Sequence, residues 1–282
     1  MQRRIRKRFD DDRLVLKCRV LARQRIKKAI RLDGSLDWKR LPKLVTVNPK
    51  LLKQDDADPY LSAGFQGAPS WASGYNTCSG ASLGCSAECL FGAGHGQRHM
   101  LQNGEQKVWI ARITRTILFY EYREQFKIQM VKEIQAFKRK AQRKGFKSAF
   151  RPNVITDIDW VKLMPVIFDQ GIDVLYDYTK VAKRLRAVMR PAPYHLTLSR
   201  HEDTPDELID STVGEGFGNV AVVFSTKKGK ALPSMYRGFP VIDGDLTDNR
   251  FNDPIGVIVG LRVKNTGKKD ESGFVVNHAA WS

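Results

Sequence analysis

The chain has 282 residues, 42% of them hydrophobic, enough to bury a sizeable core in one large domain or two small ones, which excludes global disorder. No run approaches the ~18 apolar residues that span a bilayer, and the basic opening MQRRIRKRF is not followed by the apolar stretch of a secretory signal. The expected location is the cytoplasm, where thiols stay reduced, and a net charge of +18 favours polyanions, nucleic acid above all.

Residues 1–31 carry 13 Lys and Arg against three Asp. Leu14, Leu16, Val20, Leu21, Ile26 and Ile30 make an imperfect helical stripe among these cations, and Asp10, Asp11 and Asp12 suit the positive end of a helix dipole. We read residues 1–44 as a basic helical arm and residues 45–282 as the main domain. Arg3, Arg4, Arg6, Lys7, Arg8, Lys27 and Lys28 are its candidate nucleic-acid contacts; the alternative is a solvated basic face. Cys18, on the same helix, reads as a packed thiol.

Residues 32–73 are rich in turn signals, DGS, LPK, NPK, DPY and GAPS, with LVTV as one short strand. They lead to GYNTCSGASLGCSAECLFGAGHG, residues 74–96, where Cys78, Cys85 and Cys89 follow a C-x6-C-x3-C spacing. Three neighbouring thiolates repel unless a cation neutralises them, so a metal centre is expected; the alternative is small cysteines packing a Gly-rich turn. Zinc needs a fourth ligand, for which His95 or His99 stands downstream. A [4Fe–4S] cluster accepts three thiolates and leaves one iron open to substrate or cofactor. Gly92 and Gly94 would let backbone approach a cluster or a phosphate.

Between Gly104 and Gly145, Trp109, Ile113, Ile117, Tyr120, Phe126, Met130, Ile134 and Phe137 recur at helical steps, predicting one long core-facing helix. From residue 146 the texture changes. Strands are expected at 153–156, 174–179, 194–199, 220–225, 239–242 and 257–263, with helical material in DWVKLMPVIFDQG and KVAKRLRAV. Buried strands alternating with helices predict a parallel sheet in an α/β fold.

The strands end in polar clusters: Thr156 and Asp157; Asp177, Tyr178, Thr179 and Lys180; Ser199 and Arg200; Ser225, Thr226 and Lys227; Asp243 and Asp245. Ligands of α/β proteins bind beyond the carboxyl ends of the strands, so the clusters would line one mouth. Asp157, Tyr178, Lys180 and Arg200 are the candidate catalytic groups, and Ser199, Asp243, Asp245 and Asp248 join Gly92 and Gly94 as candidate cofactor-binding residues. The acidic loop VIDGDLTDNRFNDP lacks the Glu that a calcium loop needs at its twelfth position, where Pro254 stands.

The segments SGYNTCSGASLGCSAECLFGAGHG, RPNVITDIDW, YDYTK, YHLTLSR and GFPVIDGDLTDNRFNDPIGVIVGLRVK together resemble a bacteriophage family, the gene-product-88 group, over residues 45–280. The cysteine loop is also similar to the triads of radical S-adenosylmethionine enzymes, although those are commonly spaced C-x3-C-x2-C. That resemblance implies a partial (β/α)6 TIM-like barrel and a [4Fe–4S] cluster on Cys78, Cys85 and Cys89 that binds S-adenosylmethionine. It also implies a phage enzyme, active in the host cytoplasm, on nucleic acid or a nucleotide-derived substrate. Two other readings stay open: a zinc-stabilised nucleic-acid-binding protein without a reaction, and a degenerate barrel acting as a host-protein antagonist.

Overall fold

The structure, a computed structural model, describes residues 13–47, 51, 58–92, 106–185, 191, 193–264, 270–277, 279 and 281. The strands are β1 (Val45–Thr46), β2 (Tyr60–Phe65), β3 (Lys147–Arg151), β4 (Val174–Thr179), β5 (Tyr194–Ser199), β6 (Val220–Phe224), β7 (Met235–Tyr236), β8 (Phe239–Asp243) and β9 (Ile258–Arg262), with apolar runs in β4, β5, β6 and β9. They form one nine-stranded sheet in the order β1-β2-β3-β4-β5-β6-β9-β8-β7. Every pairing from β2 to β8 is parallel, and β1 and β7 pair antiparallel at the edges. The two edge strands do not pair with each other, so the sheet is open and the expected TIM-like closure is not seen.

The helices are α1 (Arg13–Lys27), α2 (Ser70–Ser73), α3 (Leu83–Ala87), α4 (Lys107–Glu121), α5 (Arg123–Arg143), α6 (Trp160–Leu163) and α7 (Asp206–Gly214). Strand register puts Ala63, Phe150, Leu175, Leu198, Val220 and Ile258 on one face. Against it α1, α4, α5 and α6 pack at the β2–β4 end, and α7 at the β5–β9 end. Buried Val15, Cys18, Ala22 and Ile26 carry α1 into this core, where Cys18 is a packed thiol. Among the described residues no helix is long and apolar enough to cross a membrane.

Several local expectations also change. The long helix is two, because Tyr122 leaves helical geometry at φ −125° and ψ 45°. Residues 153–156 are a turn after β3: Asn153 Oδ1 accepts from Thr156 Oγ1 at 2.8 Å, Ile158 N at 2.9 Å and Trp160 Nε1 at 3.0 Å, an arrangement that competes with a ladder. β2 is unforeseen, and its Gly64 is required by the approach of β3: a Cβ there would stand 2.5 Å from the Arg151 carbonyl oxygen. In KVAKRLRAV only a 3-10 turn, Ala182–Leu185, falls within the described residues, while DWVKLMPVIFDQG divides at Pro165 into α6 and a 3-10 turn.

The opposite face of the sheet is covered by the chain between β8 and β9. Asp248 there receives the Arg151 guanidinium at 2.9 and 2.8 Å, Asn249 receives the Ser62 hydroxyl at 3.1 Å, and Phe251 packs edge-on against Tyr60 and Tyr176.

Candidate functional site

The cysteine loop is fastened at both ends. At its start Asp157 donates its N–H to Thr77 O at 2.8 Å, and Cys78 pairs with Asp157 as a parallel bridge, tying the first thiol to the exit of β3. Further on, Ser82 caps α3 by accepting from Cys85 N at 3.1 Å. Glu202, which follows β5, accepts from Ser82 Oγ and from Gly84 N, each at 2.6 Å. Gly84 has no room for a side chain, since a Cβ would sit 2.5 Å from Phe274 Cβ and 2.9 Å from Glu202 Oε2.

Held so, Cys78, Cys85 and Cys89 line a cavity of about 260 Å³ at the carboxyl ends of β3, β4, β5, β6 and β9. The same three thiols line a second cavity, about 520 Å³, with Arg19, Trp71 and Leu83. The loop is a partition with a space on either side. All three cysteines are free thiols.

Burial pushes the Cys78 thiol up to about 11 and the Cys89 thiol up to about 12, with the neighbouring Cys charges adding to both shifts. Cys85 is also raised by burial, opposed by the Lys180 ammonium. Among the described residues no three His, Cys, Asp or Glu side chains already stand at metal-ligand spacing. In chemistry the donor set fits a thiophilic centre: three soft sulfurs from one loop face a shared space and gain from a cation that displaces their protons.

The strand ends deliver part of the expected mouth. Asp157, Tyr178, Lys180, Ser199 and Asp245 line the smaller cavity. Asp157 is engaged by Arg184 Nη1 at 2.6 Å and by Lys180 N at 3.0 Å. Lys180 Nζ donates to Ser199 Oγ at 2.6 Å and lies 5.3 Å from the Phe274 ring centroid. Asp245 bridges Arg262 Nη1 at 3.2 Å and Lys264 Nζ at 2.5 Å.

Other candidates stand outside that lining. Arg200 turns to the carbonyls of Gly273 and Phe274, at 2.6 and 3.0 Å, and holds the C-terminal segment. Asp243 pairs with Arg262 at 2.8 Å, and Asp248 is buried on Arg151. Gly92 ends a 3-10 turn, Leu90–Gly92. Lys27 and Lys28 are exposed at the end of α1. Gly94, His95, His99, Arg3, Arg4, Arg6, Lys7 and Arg8 lie outside the described residues.

Sequence reading missed Arg151, Asn153, Glu202 and Arg262. Arg151 ends an unforeseen strand, and Glu202 acts 118 positions from its partner Gly84, which no local pattern signals.

A family model described as gene product 88 matches residues 40–278, and the chain belongs to that family. No curated protein matches the chain, and no solved structure does.

Proposed function

We propose that the protein is a phage iron–sulfur enzyme of the radical S-adenosylmethionine kind, acting on a nucleic acid or a nucleotide-derived substrate. One observation carries the reading: three cysteines of one short loop all line the cavity at the carboxyl ends of the parallel strands. Bound through Cys78, Cys85 and Cys89, a [4Fe–4S] cluster would supply an electron and an iron open to a sulfonium cofactor.

The chain's own residues do the rest. Tyr178 walls the cavity, Asp245 presents a carboxylate to amine or ribose hydroxyl groups, and Lys180 with Ser199 offers donors to an anionic group. Phe274 and the thiol loop complete the wall of the space. The laying down of β2 to β6 in chain order, with helices on one face, supports reading the sheet as a partial barrel. A net charge of +18 supports a polyanionic substrate.

Purification without oxygen tests the reading. The expected product is brown and holds about four irons per chain. Colourless protein carrying zinc overturns it and favours a zinc-stabilised nucleic-acid-binding protein without a reaction.

A further inference from the structure

The cavity beside the thiol loop holds several cations, and all but one are answered by carboxylates. Arg151 is held by Asp248 at 2.8 Å, Arg262 by Asp243 at 2.8 Å, and Lys264 by Asp245 at 2.5 Å. Lys180 differs. Its ammonium meets the Ser199 hydroxyl at 2.6 Å, the face of Phe274 at 5.3 Å and the Cys85 thiol, and among the described residues no carboxylate pairs with it.

Its position is fixed. Thr179 and Leu198 are register partners, so Lys180 and Ser199 leave adjacent parallel strands side by side. The Lys180 backbone N–H is tied to Asp157 Oδ2 at 3.0 Å, and a Cβ on Gly80 would stand 3.0 Å from Lys180 Cβ, so the thiol loop packs on the lysine stem.

A half-buried ammonium whose own contacts are a hydroxyl, a ring and a thiol is costly unless an anion completes it. Three N–H donors exceed what one hydroxyl and a weakly accepting thiol can take, and Ser199, having accepted from Lys180, keeps its own O–H to donate. We infer that Lys180 and Ser199 form an oxyanion subsite, the seat of a ligand phosphate or carboxylate next to the thiols. The inference deepens the function proposed above and rests on its premise that this cavity seats the substrate or cofactor; the metal content is a separate question.

Titration calorimetry on the protein as purified tests it, with inorganic phosphate and AMP as phosphate probes and methionine as the carboxylate probe. The class that binds identifies the source of the oxyanion. Lys180→Met is expected to weaken that binding about tenfold or more, and Ser199→Ala by a smaller factor, as befits a charged and a neutral donor. Lys180→Arg, which keeps the charge, is expected to retain most of the affinity and guards against a Met variant that fails to fold. Equal affinity in wild type and Lys180→Met, or no binding of any probe to the wild type, overturns the subsite. Colourless protein that still binds through Lys180 keeps the subsite and removes only the iron–sulfur reading. Brown protein whose affinity ignores Lys180 does the reverse.

Discussion

The carboxylate of Glu202 accepts the backbone N–H of Gly84 at 2.6 Å, joining the exit of β5 to the helical turn that carries Cys85. A charged acceptor on a backbone donor contributes about 1.5–3 kcal/mol, and Glu202 serves Ser82 as well. Glu202→Gln is expected to lower the unfolding free energy by about that amount. Gly84→Ala, which forces a methyl against Phe274 and Glu202, is expected to cost about 1–3 kcal/mol by overpacking. Denaturant unfolding measures both; Gly84→Ala as stable as wild type would contradict the close approach.

The four cysteines should divide three to one. Replacing Cys78, Cys85 or Cys89 by Ala is expected to abolish bound metal and visible colour. Cys18→Ala should keep both and lose about 1 kcal/mol of stability, because Cys18 is buried in the core beneath α1. Metal analysis of the four variants, each purified without oxygen, decides it. Metal retained at wild-type level in Cys78→Ala would sink the shared site.

Asp177 makes stability depend on pH. Burial pushes its carboxyl up to about 7, opposed by Arg151 and by hydrogen bonds from Asn153 and Tyr194. Between the ordinary carboxylate value, 3.8, and about 7 the folded chain holds a proton that the unfolded chain releases. The stability from this group is therefore complete below the lower value and declines as pH rises through the window, by up to about 1.4 kcal/mol per unit. Asp177→Asn removes the titration. Unfolding free energies at several pH values should show a flatter profile in the variant from pH 5 to 7, and parallel profiles would refute the assignment.

Cations exposed on α1 should contribute to polyanion binding. Gln at Arg13, Lys17, Lys27 and Lys28 leaves the buried stripe Val15, Cys18, Ala22 and Ile26 untouched. Each lost phosphate contact on duplex DNA should reduce the slope of log affinity against log salt by about 0.9. Fluorescence anisotropy over a salt series reads that slope, and an unchanged value would exclude this face as a contact.

Legibility followed range. The strands at 174–179, 194–199 and 220–224 announce themselves as apolar runs, and the sheet that holds them is parallel as their alternation with helices implies. The stripe from Trp109 to Phe137 is core as read, yet the break at Tyr122 is silent, since apolar spacing continues on both helices. β2 carries Gly64 because a neighbouring backbone presses on it, a demand that appears only once the strands are side by side. Within the site, Lys180 and Ser199 were legible as strand ends. Arg151 was not, because its partner Asp248 comes from a crossing 97 positions later.

That crossing has a consequence for how the chain comes to be. Ser62 and Asn249 are separated by 187 positions, so the second face of the sheet stays uncovered until synthesis has passed residue 249. Contacts of such separation are entropically late and slow. A nascent chain halted before residue 248 would present Tyr60 and Tyr176 to its surroundings and leave Arg151 with Asp177 but without its closest carboxylate.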